Sequence, residues 1–196
     1  MSPRPRKASD DEIFVATQRA MQRLTPAELT LKEIADEAGL TAGALVQRFG
    51  SKRGLMLALM ERWSASARDM FDGIRAATSS PLGAIRYWAE CMAAMGDSAE
   101  GLAHHLGWLQ QDLGDPDFHP YAQRNARDAR AELARLVQDA IDAGELPRDV
   151  DANDAARLLE AVVGGSLLSW GFHRDGTAKE WMAHDVERVL QLLGAQ

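Results

Sequence analysis

Residues 30–49 read TLKEIADEAGLTAGALVQRF, and the punctuation inside this stretch decides the fold. Thr30, followed three positions on by Glu33, is the sequence form of a capping box. In that motif a hydroxyl takes a free backbone N–H of the first turn and the carboxylate answers the cap's own N–H. Leu31, Ile34, Ala35 and Ala38 then recur at spacings of three and four, so one stripe is buried, and Gly39 ends the helix after about two turns. Thr41 caps a second short helix with Leu45 and Phe49 inward. Two short capped helices joined by a glycine-containing turn of about three residues form a helix-turn-helix. The first helix braces the second, whose N-terminal residues meet base edges in the major groove. Ala42, Gly43 and Ala44 keep that entrance free of bulk, so the helix N-terminus can approach phosphates and bases closely.

Working outward, Ser9 with Glu12 forms another capping box, ahead of a helix with Ile13, Ala16, Ala20 and Leu24 on one face and Pro26 at its break. Downstream, Ser51 caps a helix expected to run through Leu55, Leu59 and Trp63 towards Ile74. Beyond residue 75, turn signals such as Ser80-Pro81, Gly114-Asp115-Pro116, Gly144-Glu145-Leu146-Pro147 and Asp175-Gly176 leave room for five more helices, the longest over about residues 119–143. Runs of β-branched residues are nearly absent. The spacing predicts an all-α chain of about nine helices, with the helix-turn-helix in a head at 1–55 that includes a basic arm at 1–8, and a helical body at 56–196.

The net charge of -7 argues against a nucleic-acid ligand only on average. Residues 1–68 hold 11 Lys or Arg against 8 Asp or Glu, whereas residues 69–196 hold 11 against 21. A basic front on an acidic body orients the molecule towards an anion by its head. No window approaches a membrane span, the basic N-terminus leads into Asp10-Asp11-Glu12 rather than an apolar core, and Cys91 is the single cysteine. These features predict a cytoplasmic protein with neither a membrane partner nor a disulfide. His104 and His105 are adjacent and so diverge on a helix, and the remaining histidines lack ligand spacing, so no metal is expected. Phosphate loops, nucleophile elbows and zinc-helix motifs are missing too, so neither a cofactor nor an enzymatic activity is expected.

The run from Leu31 to Lys52, with Leu55 beyond it, closely resembles the DNA-binding signature of the TetR family, and the resemblance covers about residues 9–60. It implies a protein of nine or ten helices with a three-helix head, a ligand-binding body and a homodimer made by the last two long helices. It also makes Thr30, Thr41 and Lys52 phosphate contacts and places Gln47 and Arg48 where bases are read. The chemistry suits that role, since Gln pairs bidentately with adenine and Arg with guanine, while Ala42 and Ala44 offer methyl contacts to thymine. Val46 departs from the family's usual tyrosine and cannot donate to a phosphate. The arm residues Arg4, Arg6 and Lys7 are the candidate replacement.

In the body, Trp88, Cys91, Met92 and Met95, followed by His105, Trp108 and Tyr121, form a candidate pocket for a small, mostly apolar effector with His105 or Tyr121 as polar handle. Leu159, Val163, Gly164, Leu167 and Trp170, with Val186, Leu190 and Leu193, form a candidate dimer face, the glycine permitting close helix approach. The combined expectation is a repressor that binds a palindromic operator as a homodimer and is released by its effector. Two other classes stay open: a helical sensor or interaction dimer that has lost DNA binding, which the Val46 departure favours, and an enzyme acting on a small apolar molecule in the Met, Trp and His cluster.

Overall fold

The computed structural model describes residues 8–96 and 98–195. Ten α-helices follow one another among them: α1 (Asp10–Met21), α2 (Leu31–Ala38), α3 (Ala42–Phe49), α4 (Lys52–Ser64), α5 (Ala67–Ala76), α6 (Pro81–Ala93), α7 (Ala99–Gly114), α8 (His119–Asp142), α9 (Ala152–His173) and α10 (Ala178–Leu192), with a 3₁₀ turn at Ala94–Gly96. The all-α architecture is as the sequence predicts. The extra helix arises within the run expected to continue to Ile74: the chain breaks between Ser64 and Ala67, where neither glycine nor proline marks a stop.

Caps set most of the starts. Ser9 and Thr177 make complete capping boxes with Glu12 and Glu180, while Ser80 and Asp151 cap α6 and α9 by accepting backbone N–H groups. Each such cap is worth about 1 kcal/mol against alanine. At α2 only half of the expected box forms. The Thr30 hydroxyl accepts the Glu33 N–H, but Glu33 Oε2 is buried without a hydrogen-bond partner among the described residues.

The chain divides into two compact units, Met1–Trp63 with Ala103–Ala122, and Ser64–Leu102 with Gln123–Gln196. The expected division at 55/56 therefore falls inside α4, and the C-terminal part of α7 with the start of α8 belongs to the first unit. In that unit Ile13, Leu29, Ile34, Leu45, Leu55 and Leu59 pack around Trp108 and Phe118. In the second, Phe71, Ile85 and Trp88 pack with Leu133, Val137, Leu159, Leu167, Met182 and Leu190. Burial of each large side chain contributes about 1.5–3 kcal/mol.

Candidate nucleic-acid interface

The geometry of the paired helices is set at Gly39. Its φ of 66° lies in the left-handed region, which a glycine enters without steric cost. The Leu40 N–H then returns to the Ala35 carbonyl at 2.9 Å and the Gly39 N–H to Asp36, a Schellman closure that ends α2 and redirects the chain into α3. Thr41 caps α3 by accepting the Ala44 N–H at 3.2 Å. Leu45 is fully buried, so α3 is held with one face on the core and the opposite face outward.

At about 100° per residue, Gln47 lies opposite the midpoint between Leu45 and Phe49. Gly43 and Ala44 flank Gln47 at the centre of the outward face; all three are exposed, while Ala42 is half-buried. Val46 stands on one rim, 47% exposed, and Arg48 on the other. The hydroxyls of Thr30 and Thr41 act as acceptors in their caps, at 3.3 and 3.2 Å, so each keeps its own proton to donate outward.

Two side chains expected at the nucleic acid have other partners. Arg48 turns back over the Phe49 ring; its Nη1 donates to the Ala8 carbonyl at 2.6 Å and its Nε pairs with Asp10 at 2.5 Å. Lys52 Nζ donates to the carbonyls of Pro26 and Leu29, at 2.8 and 2.7 Å, and so fastens the α1–α2 connection. Two of the ammonium's three donors are thereby used. The remaining described cations of this region are paired as well: Arg19 and Arg23 with Glu37, Lys32 with Asp36, Arg53 with Asp115 and Asp117, and Arg62 with Asp11. Arg4, Arg6 and Lys7 lie outside the described residues. From residue 8 to residue 62 the chain carries 7 Lys or Arg against 8 Asp or Glu, so the positive surplus of the front resides mainly in those three arm residues.

The expected effector residues are divided between the two units. Trp88 belongs to the core of the second unit, where Met92 packs against it, Cys91 is half-buried and Met95 is 44% exposed. His105, Trp108 and Tyr121 lie in the first unit. There Trp108 is core and its indole N–H donates to the Leu24 carbonyl at 3.1 Å. Burial pushes the His105 imidazole pKa down. Sequence reading misses Asp112, also half-buried on α7, whose carboxyl is pushed up to about 6 by desolvation. A lone aspartate between Gln111 and Leu113 carries no signal of that kind.

The expected dimer face is mostly turned inward. Leu159, Val163, Leu167, Trp170, Val186 and Leu190 are buried in their own core and Leu193 is packed against it. Only Gly164 of that set is exposed. The outward face of α9 instead carries Leu158 and Leu168, each 44% exposed, and Phe172, 87% exposed, with Ala161, Gly164 and Gly165 between them. A Cβ added to either glycine would meet nothing within 4 Å. No helix among the described residues is long and apolar enough to cross a membrane.

Known proteins share this fold. Residues 13–59 match the model for bacterial regulatory proteins of the tetR family, and residues 110–186 match the tetracyclin repressor-like C-terminal domain. The HTH-type transcriptional regulator TtgR of Pseudomonas putida is 26% identical over 170 residues, covering 81% of this chain and 78% of its own. In fold, the chain is similar to a TetR transcription regulator from Haloarcula marismortui, with a TM-score of 0.74, 22% identity and coverage of 95% and 98% of the two chains. It is similar also to the reduced form of NemR from E. coli, with a TM-score of 0.72, 18% identity and the same coverages. The matched families and the curated relative are transcriptional regulators, not enzymes. With its helix-turn-helix and its helical body both matched, the chain belongs to the TetR family and is a DNA-binding transcriptional regulator.

Proposed function

We propose that the protein is a repressor that binds a palindromic operator as a homodimer and leaves it when a small, mostly apolar effector binds the body. The observation that carries this reading is the outward face of α3, where Gln47 is the central side chain with hydrogen-bonding capacity between Gly43 and Ala44. A carboxamide there suits adenine, and the small flanking residues suit close approach to the groove. Thr30 and Thr41 donate their free hydroxyl protons to phosphates, joined by the remaining N–H of Lys52 and by Arg4, Arg6 and Lys7. Arg48 acts by holding the start of α1 rather than by reading a base.

Dimerisation is supported by the composition of α9. That helix is apolar on both sides, and a second apolar face needs a cover. Leu158, Leu168 and Phe172 are the side chains that a twin helix would bury, and Gly164 and Gly165, which nothing among the described residues requires to be small, permit close approach. The effector is assigned to the neighbourhood of Cys91, Met92 and Met95 on and after α6, where adaptable side chains are incompletely buried.

The test is footprinting on genomic fragments that the purified protein retains, with the mass of the complex measured in parallel. Two protomers per duplex and a footprint symmetric about a dyad are expected. One protomer per site, or an asymmetric footprint, would contradict the reading.

A further inference from the structure

We infer that Val46 is a specificity-determining residue that reads the C5-methyl group of a thymine neighbouring the base met by Gln47. The inference rests on the DNA-binding role of α3 proposed above. Val46 is 47% exposed and is not among the side chains packed on the core of its unit, although Phe49 and Ala42 on the same helix are. A β-branched residue on an exposed helical position loses rotamer freedom and leaves apolar surface in water. No packing on the core of its unit offsets either cost.

The neighbours of Val46 narrow what it meets. Arg48, on the opposite rim of α3, is withdrawn to Ala8 and Asp10, and Gln47 supplies one amide. Neither side chain therefore brings a free charge to the reading face. Valine has neither donor nor acceptor, so the N and O atoms of the base edges give it no partner. In the major groove the apolar feature that a branched aliphatic group matches is the thymine methyl. Specificity accordingly combines hydrogen bonding by Gln47 with methyl contact by Val46.

The experiment uses the full-length protein and the duplex it selects from a random pool. Each thymine is replaced in turn by deoxyuridine, which removes only the methyl group, and affinity is measured for the parent protein and for Val46→Ala and Gln47→Ala. One replacement per half-site should weaken the parent about fourfold, the worth of one buried methyl. Val46→Ala, whose helix content should match the parent, should be indifferent to that same replacement. Gln47→Ala should remain sensitive to it. If no replacement weakens the parent, or if Val46→Ala keeps the parent's sensitivity, the methyl reading is wrong while DNA reading by α3 stands. If no duplex is selected at all, both fall.

Discussion

Arg48 and Asp10 are joined across the first unit by an ion pair of 2.5 Å, and the same guanidinium donates to the carbonyl of Ala8. An arginine on the recognition helix would ordinarily be read as a guanine contact. Here it holds Ala8 and Asp10 at the start of α1, and the consequence is testable. Arg48→Ala should weaken binding to all sequences alike, because the arm's start is released, and should leave base preference unchanged. Gln47→Ala should alter preference at one position of each half-site, at a cost of about 1–3 kcal/mol on the preferred duplex. Affinities on the selected duplex and its single-base variants distinguish the two.

The arm supplies the charge that the rest of the head lacks. Removing residues 1–7 deletes Arg4, Arg6 and Lys7 and leaves the described head without a positive surplus. The salt dependence of binding should flatten by about 0.9 in log–log slope for every phosphate that the arm neutralises. Titrations at several salt concentrations check this; an unchanged slope would mean that the arm touches no phosphate.

Adding a side-chain methyl at Gly43 should move stability and affinity in opposite directions. A Cβ built there meets only Thr41 Oγ1, at 3.9 Å, so the fold does not require glycine. Gly43→Ala should raise thermal stability, by up to about 1 kcal/mol, through helix propensity. Operator affinity should fall, because the added methyl stands between α3 and the groove. Denaturation and binding measured on the same preparation give both signs.

For the dimer, Leu168→Glu should weaken self-association by more than about tenfold while leaving the protomer folded, since that side chain faces outward. Leu159→Ala, one of the fully buried positions, should instead cost about 2–5 kcal/mol of folding stability. Sedimentation velocity and denaturant unfolding separate the two effects. A Leu168→Glu variant that still dimerises normally would remove α9's outward face from the interface.

Asp112 gives the stability a pH dependence. Its carboxyl titrates near 6 in the folded chain and near 3.8 when unfolded, so the folded state holds the proton more tightly. Stability from this group is therefore present at low pH and is lost as pH rises from about 4 to about 6. Asp112→Asn should flatten that slope and stabilise the protein near neutrality by about 1 kcal/mol, allowing for the water that still reaches the carboxyl. Unfolding curves between about pH 4 and about pH 7 provide the check.

Whether a feature is legible in the sequence depends on whether its signal is local. Caps and glycines are local, so Ser9, Thr30, Gly39 and Thr41 mark the helix-turn-helix in the sequence itself. The break before α5 is invisible there, because Ser66 makes no side-chain capping bond and no proline or glycine announces it. On α9 the periodicity shows two apolar stripes, and pattern alone does not say that Leu159 faces the core and Leu158 the outside. Arg48 and Lys52 advertise their charge, whereas their partners Asp10, Pro26 and Leu29 are set by tertiary packing. Trp88 and Trp108 share a related ambiguity, since an aromatic residue at helical spacing serves a core and a pocket equally well.

The most direct test of the central claim is selection of duplexes from a random pool by the purified protein, repeated with Gln47→Ala. Enrichment of an inverted repeat with half-sites about one helical turn apart, altered by Gln47→Ala at symmetric positions, is the expected result. A folded dimer that enriches no sequence, or an enriched sequence indifferent to Gln47→Ala, would contradict operator reading by α3.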